Sequence, residues 1–131
     1  MSISADIPGI AFAAPPAARH LPAPAAVRFG SLRISGRRAG RADYTLTLAV
    51  GDAILRDTVR THGPADAVTT LLYRAGIRLE IQEFHQRTTA AGVVTELRAQ
   101  QDRRTEWATG VGADAAESTA RALVAAANLT A

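Results

Sequence analysis

The sequence predicts an α+β fold: duplicated βββα units, with antiparallel sheets and one helix per unit packed on them. Three observations lead there. The motif Thr61-His62-Gly63-Pro64-Ala65-Asp66-Ala67 has a near-copy about fifty residues later, Gly110-Val111-Gly112-Ala113-Asp114-Ala115. Period-two alternation of apolar and polar residues precedes each copy, as in half-buried strands. Helical spacing of apolar residues follows each copy.

The elements follow in order. Residues 1–28 carry Ala13-Ala14-Pro15-Pro16-Ala17-Ala18 and Pro22-Ala23-Pro24-Ala25-Ala26. That composition favours extended, weakly ordered chain, so an arm or linker is expected there and the domain over 29–131. Leu32 and Ile34 alternate with Ser31, Arg33 and Ser35 as a short first strand, and residues 36–40 form a turn. Tyr44, Leu46, Leu48 and Val50 make a second strand, Gly51-Asp52 a hairpin turn, and Ala53 to Thr61 a third strand. Gly63-Pro64 ends it. Proline in the first helical turn and Asp66 behind it are helix-start signals. Ala67, Val68, Leu71, Leu72 and Ala75 then recur at helical spacing until Gly76.

The second unit repeats this order. A fourth strand is expected from Ile77 to about Arg87, with Phe84 out of phase, which suggests a bulge or a core aromatic. Val94–Gln101 is a fifth strand and Thr105–Thr109 a sixth, with Trp107 facing inward. The last helix carries Ala116, Ala120, Leu123, Val124 and Ala127 on one face, opened by a capping-box-like pair, Asp114 and Glu117.

Composition narrows the function classes. A chain of 131 residues holds one ordinary domain. No apolar run approaches the roughly 20 residues of a membrane span, and without a basic stretch followed by an apolar core no secretory signal is expected. Cysteine is absent, which removes disulfides and thiolate metal sites and fits a cytoplasmic location. All fifteen positive charges are arginine, against twelve acids. Arg33, Arg56, Arg60, Arg78 and Arg98 are scattered along strands as on a solvated sheet face, and no single element clusters them; neither a nucleic-acid nor a membrane partner is expected.

A glycine at a strand-to-helix junction lets backbone N–H groups approach a ligand, and the helix start adds partial positive charge. Two such junctions form a binding architecture for a small anion or zwitterion. Gly63-Pro64-x-Asp66-Ala67, then Trp107-x-x-Gly110-Val111-Gly112 before an alanine-rich helix ending in Asn128, resembles the C-terminal regulatory domain of 2-isopropylmalate synthase and of citramalate synthases. The resemblance spans roughly residues 30–129. It implies a homodimer that binds an end-product amino acid, with no catalytic residue, metal or cofactor of its own. The family's barrel needs about 250 residues, and its metal-holding His-x-His pair is missing from His20, His62 and His85. The chain is therefore expected to be such a domain standing alone, with an amino acid or related carboxylate as ligand.

Carried over residue by residue, the resemblance places the ligand against Gly63, Pro64, Ala65, Asp66, Ile81, Phe84, Thr88, Gly110, Gly112 and Glu117. Two positions depart from the family pattern: Thr61 replaces a glycine, and Glu117 stands where an aliphatic residue is usual. A carboxylate there opposes a branched aliphatic ligand unless it turns away to cap the helix. Other readings stay open. Gly63-Pro64 also suits a plain tight turn, and Asp66, Asp114 and Glu117 suit helix-start roles. The domain could instead dimerise or dock in trans on a barrel-type synthase with its ligand site decayed. A third reading is a small acid–base enzyme using Glu83, His85 or Glu117.

Overall fold

Strand β2 (Arg41–Val50) sets the layering. Its Ala42, Tyr44, Leu46 and Leu48 are buried in the core, while Asp43, Thr45 and Thr47 point the other way. The computed structural model describes residues 26–131; the expected arm lies almost wholly outside them. β2 is the centre of an antiparallel sheet between β1 (Val27–Arg38) and β3 (Ala53–Thr61). α1 (Pro64–Arg74) follows, then β4 (Glu80–Thr89), β5 (Gly92–Gln101) and β6 (Arg104–Gly112) in a second antiparallel sheet, and α2 (Ala115–Leu129). The order is βββα twice, as the alternation predicts.

Boundaries move where local hydrogen bonding decides. β1 begins at Val27, two residues before the expected domain start. Val27 is buried, its N–H donates to Asn128 Oδ1 at 2.8 Å, and Asn128 Nδ2 donates to its carbonyl at 2.9 Å. The first turn shrinks to Ala39-Gly40, because Ser35–Arg38 stays in the ladder through a register shift. Gly51 has φ +59, the positive value that a two-residue hairpin needs at its first position, so Gly-Asp serves where Asp-Gly is commoner. Residues 77–79 are not strand. The Ile77 N–H bonds back to Leu72 O at 2.9 Å, closing the end of α1 before β4 begins.

The two helices differ in surroundings. α1 buries one face, Ala67, Val68, Leu71 and Leu72, against β2 and β3. α2 lies on β5 and β6 and also touches β1 and α1, so it is buried nearly all round. Its alanines keep the cylinder thin enough for that position.

Two aromatic expectations fail for one reason. Trp107, expected inward, is 50% exposed. In β6 the inward phase belongs to Ala108, Gly110 and Gly112, small residues that let α2 approach, and Trp107 takes the opposite face. Phe84, if read as a core aromatic, is 43% exposed. The bulge is real: the β4–β5 register shifts between Ile81 and Glu83, which puts Ile81 and Phe84 opposite Ala99 and Leu97 on the inner face. α2 covers β5 and β6 but not the edge strand β4, so Phe84 is left open.

Candidate functional site at the two helix starts

The start of α2 is closed by its own side chains. Glu117 N–H donates to Asp114 Oδ1 at 2.8 Å, and Ala113 N–H donates to Glu117 Oε1 at 2.9 Å. Arg121 Nε donates to Glu117 Oε2 at 2.9 Å. The Ala113 amide first, and Arg121 second, hold the Glu117 carboxyl below its usual range. Beside it lies a cavity of about 430 Å³ between α2 and β1, walled by Phe29, Leu32 and Ile34, with Arg37 and Arg121 at its polar side. The Arg121 guanidinium sits 4.8 Å from the centre of the Phe29 ring.

Gly110 and Gly112 lie beneath α2. A Cβ on Gly110 would stand 2.3 Å from Ala122 N, and one on Gly112 would stand 2.6 Å from Ser118 N. These glycines admit the helix backbone. The same contact is tied by hydroxyls that the sequence reading passed over. Thr95 Oγ1 and Ser118 Oγ are 2.5 Å apart, and Ser118 Oγ donates to Gly110 O at 3.1 Å. Gln86 Nε2 reaches Thr95 Oγ1 at 2.8 Å and Thr119 Oγ1 at 3.1 Å. Their one signal in the sequence is Ser118-Thr119 interrupting an alanine-rich helix.

The start of α1 is open by contrast. Gly63 is extended at φ −165 and offers no side-chain cap, and Pro64 has no N–H. The amides of Ala65 and Asp66 find no acceptor among the described residues. A Cβ on Gly63 would meet nothing within 4 Å. Thr61 Oγ1 donates to Asp66 Oδ2 at 3.4 Å, which turns the departing residue toward the helix start.

Ile81, Phe84 and Thr88 share the inner face of β4, flanking Gln86, and Gln86 joins that face to the α2 start through Ala115 O at 3.3 Å. Thus Ile81, Phe84, Thr88, Gly110, Gly112 and Glu117 belong to one half of the molecule. Gly63, Pro64, Ala65 and Asp66 stand apart, and no hydrogen bond or ion pair joins the two groups among the described residues. A groove of about 610 Å³ lies on the far half of α1, lined by Thr69, Thr70, Tyr73, Arg78, Leu79, Glu80, Gln100 and Asp102. None of the sequence-predicted site residues lines it.

Glu83 and His85 lie on the outer face of β4. His85 Nε2 is 3.6 Å from Glu83 Oε1, Arg98 occupies Glu83 at 2.8 Å, and the imidazole stacks on Trp107 at 6.1 Å. The group is on open sheet surface and lines neither cavity. Among the described residues no three His, Asp or Glu side chains are grouped to hold a metal ion, and no helix is long and apolar enough to cross a membrane.

Paired βββα units, with one helix start capped and the other open, define a duplicated α+β domain. The particular family follows from the whole sequence. Residues 12–131 match the LeuA allosteric (dimerisation) domain, and the chain belongs to that family. Among curated proteins none matches the chain. Membership supports a regulatory or dimerisation role.

Proposed function

We propose that the chain is a non-catalytic regulatory domain that binds an amino acid or related small carboxylate, in a homodimer whose second copy completes the site. One observation carries this reading: the duplicated units are mated unequally. The inner face of β1 packs against α2, whereas the equivalent face of β4, with Ile81 and Phe84, has no comparable contact with α1. A second copy brings the open α1 start to an open β4 face, and each chain then supplies what the other lacks. The free Ala65 and Asp66 amides suit a carboxylate at a helix N-terminus. Ile81 and Phe84 suit an aliphatic or aromatic side chain. Glu117 is engaged by Ala113 and Arg121, so its carboxylate does not oppose a branched ligand. The cytoplasm fits such a role.

Thermal-shift and calorimetric screening of the full chain against the proteinogenic amino acids and 2-keto acids tests it. A branched-chain amino acid or its keto acid is expected to raise the melting temperature with saturation. If no compound does so at millimolar concentration, the ligand reading fails.

A second reading rests on Thr61 and Glu117, the two positions that depart from the family pattern. In it the domain dimerises or docks in trans on a barrel-type synthase without a ligand. A dimer by sedimentation, no ligand shift, and co-purification with such a synthase would favour it over the first.

A further inference from the structure

Folding gathers on one surface arginines that the sequence scatters. The outer face of the first sheet has four cross-strand rows: Arg28–Ala49–Ile54, Ser31–Thr47–Arg56, Arg33–Thr45–Thr58 and Ser35–Asp43–Arg60. Four arginines stand there against one carboxylate, Asp43, which Arg60 takes at 3.0 Å. Arg28, Arg33 and Arg56 have no acidic partner among the described residues. The surplus of three positive charges equals the net charge of the whole chain. Arg38 and Arg41, paired across the hairpin, extend it at one end, and Asp52 is the acid in the turn at the other. The outer face of the second sheet is balanced instead, with Arg98 on Glu83 and Arg87 on Glu96.

We propose that this outer face of the first sheet is a docking surface for an acidic protein partner. Charge complementarity sets the sign, and arginine sets the chemistry, because its planar fork pairs carboxylates bidentately and sheds water readily. Ile54, 66% exposed at the end of the first row, gives the face an apolar anchor. Apolar contact beside arginine is a protein-interface signature. The face holds no aromatic residue on which a nucleic-acid base would stack. A second copy is not the occupant, since a two-fold contact would set this positive face against itself. The surface is also separate from the inner β4 face assigned to the homodimer.

The test titrates the full chain, at physiological salt, with a glutamate-rich peptide carrying one central leucine. Its glutamine counterpart and a duplex DNA serve as comparators. The glutamate peptide is expected to bind saturably and the glutamine peptide not. The double substitution Arg33→Glu with Arg56→Glu should weaken binding about tenfold, and Ile54→Ser about threefold. Should the charge reversal lower the melting temperature, Arg33→Gln with Arg56→Gln replaces it, with a smaller loss expected. Equal binding of the two peptides, no saturable binding, tighter binding of the DNA, or indifference to the substitutions each overturns the proposal. Amino-acid screening reads α1 and β4, so its failure leaves this result unaffected.

Discussion

At the residue scale, the three glycines of the duplicated motif do different work. Gly110 is held by close approach, because a methyl group there would enter the backbone of α2. Gly110→Ala is therefore expected to unfold the domain or cost several kcal/mol, through overpacking that backbone cannot relieve. Gly63 is extended with open space about it, so Gly63→Ser is expected to be neutral or to stabilise by a few tenths of a kcal/mol. That serine would also cap α1 and compete with a bound carboxylate, weakening ligand binding in calorimetry while melting is unchanged or raised. Glu117 makes a pH prediction. Its carboxyl is held below the usual value of 4.5 by Ala113 and Arg121. A group lowered on folding stabilises above its unfolded value, and that stability is lost as pH falls through the folded one. Denaturant titrations should therefore show Glu117→Gln less stable near neutrality, with the difference from the parent shrinking on acidification below 4.5.

At the element scale, the two ends of the described chain are clasped together. Asn128 near the end of α2 holds both polar groups of the Val27 backbone. A chain begun at Phe29 loses this clasp and a buried valine, and should be less stable than one begun at Ala26 by about 2 kcal/mol. Asn128→Ala should account for at least half of that loss, because it strands the Val27 N–H. Chemical denaturation of the three chains decides it. Equal midpoints would mean that the ordered domain effectively begins at Phe29, where the sequence places it. Within α2, Leu123 is fully buried and Leu123→Ala is expected to cost about 2–5 kcal/mol. The hydroxyl pair Thr95–Ser118 is also enclosed, so removing one partner should cost about 1–3 kcal/mol.

At the scale of the whole molecule, the unequal mating of the two units is the feature with consequences. α2 is buried nearly all round, while α1 and the inner face of β4 remain partly bare. Bare apolar surface on an edge strand invites association. Sedimentation of the full chain is expected to show a dimer at tens of micromolar, and Phe84→Glu to shift it toward a single chain. Ile54→Ser, on the opposite layer, should leave the dimer intact. A monomeric parent would remove the dimer and the shared ligand site together.

The sequence by itself determined the fold class, the order of all eight elements and the capping pair at α2, and it offered the bulge in β4 as one of two readings of Phe84. Each is written in local signals: alternation in Tyr44–Val50, helical spacing after Pro64 and Gly112, and a phase change at Phe84. Tertiary structure alone decided which face of β6 is inside. Trp107 lost the inward phase because Ala108, Gly110 and Gly112 admit a helix backbone, and steric fit against α2 outweighs the hydrophobicity of one residue. It also decided that Gly110 and Gly112 serve packing, that the α1 start stays open, and that Arg28, Arg33, Arg56 and Arg60 share one surface. Contacts between residues far apart in the chain depend on register and on which element covers which, and neither is encoded within a window of neighbouring residues.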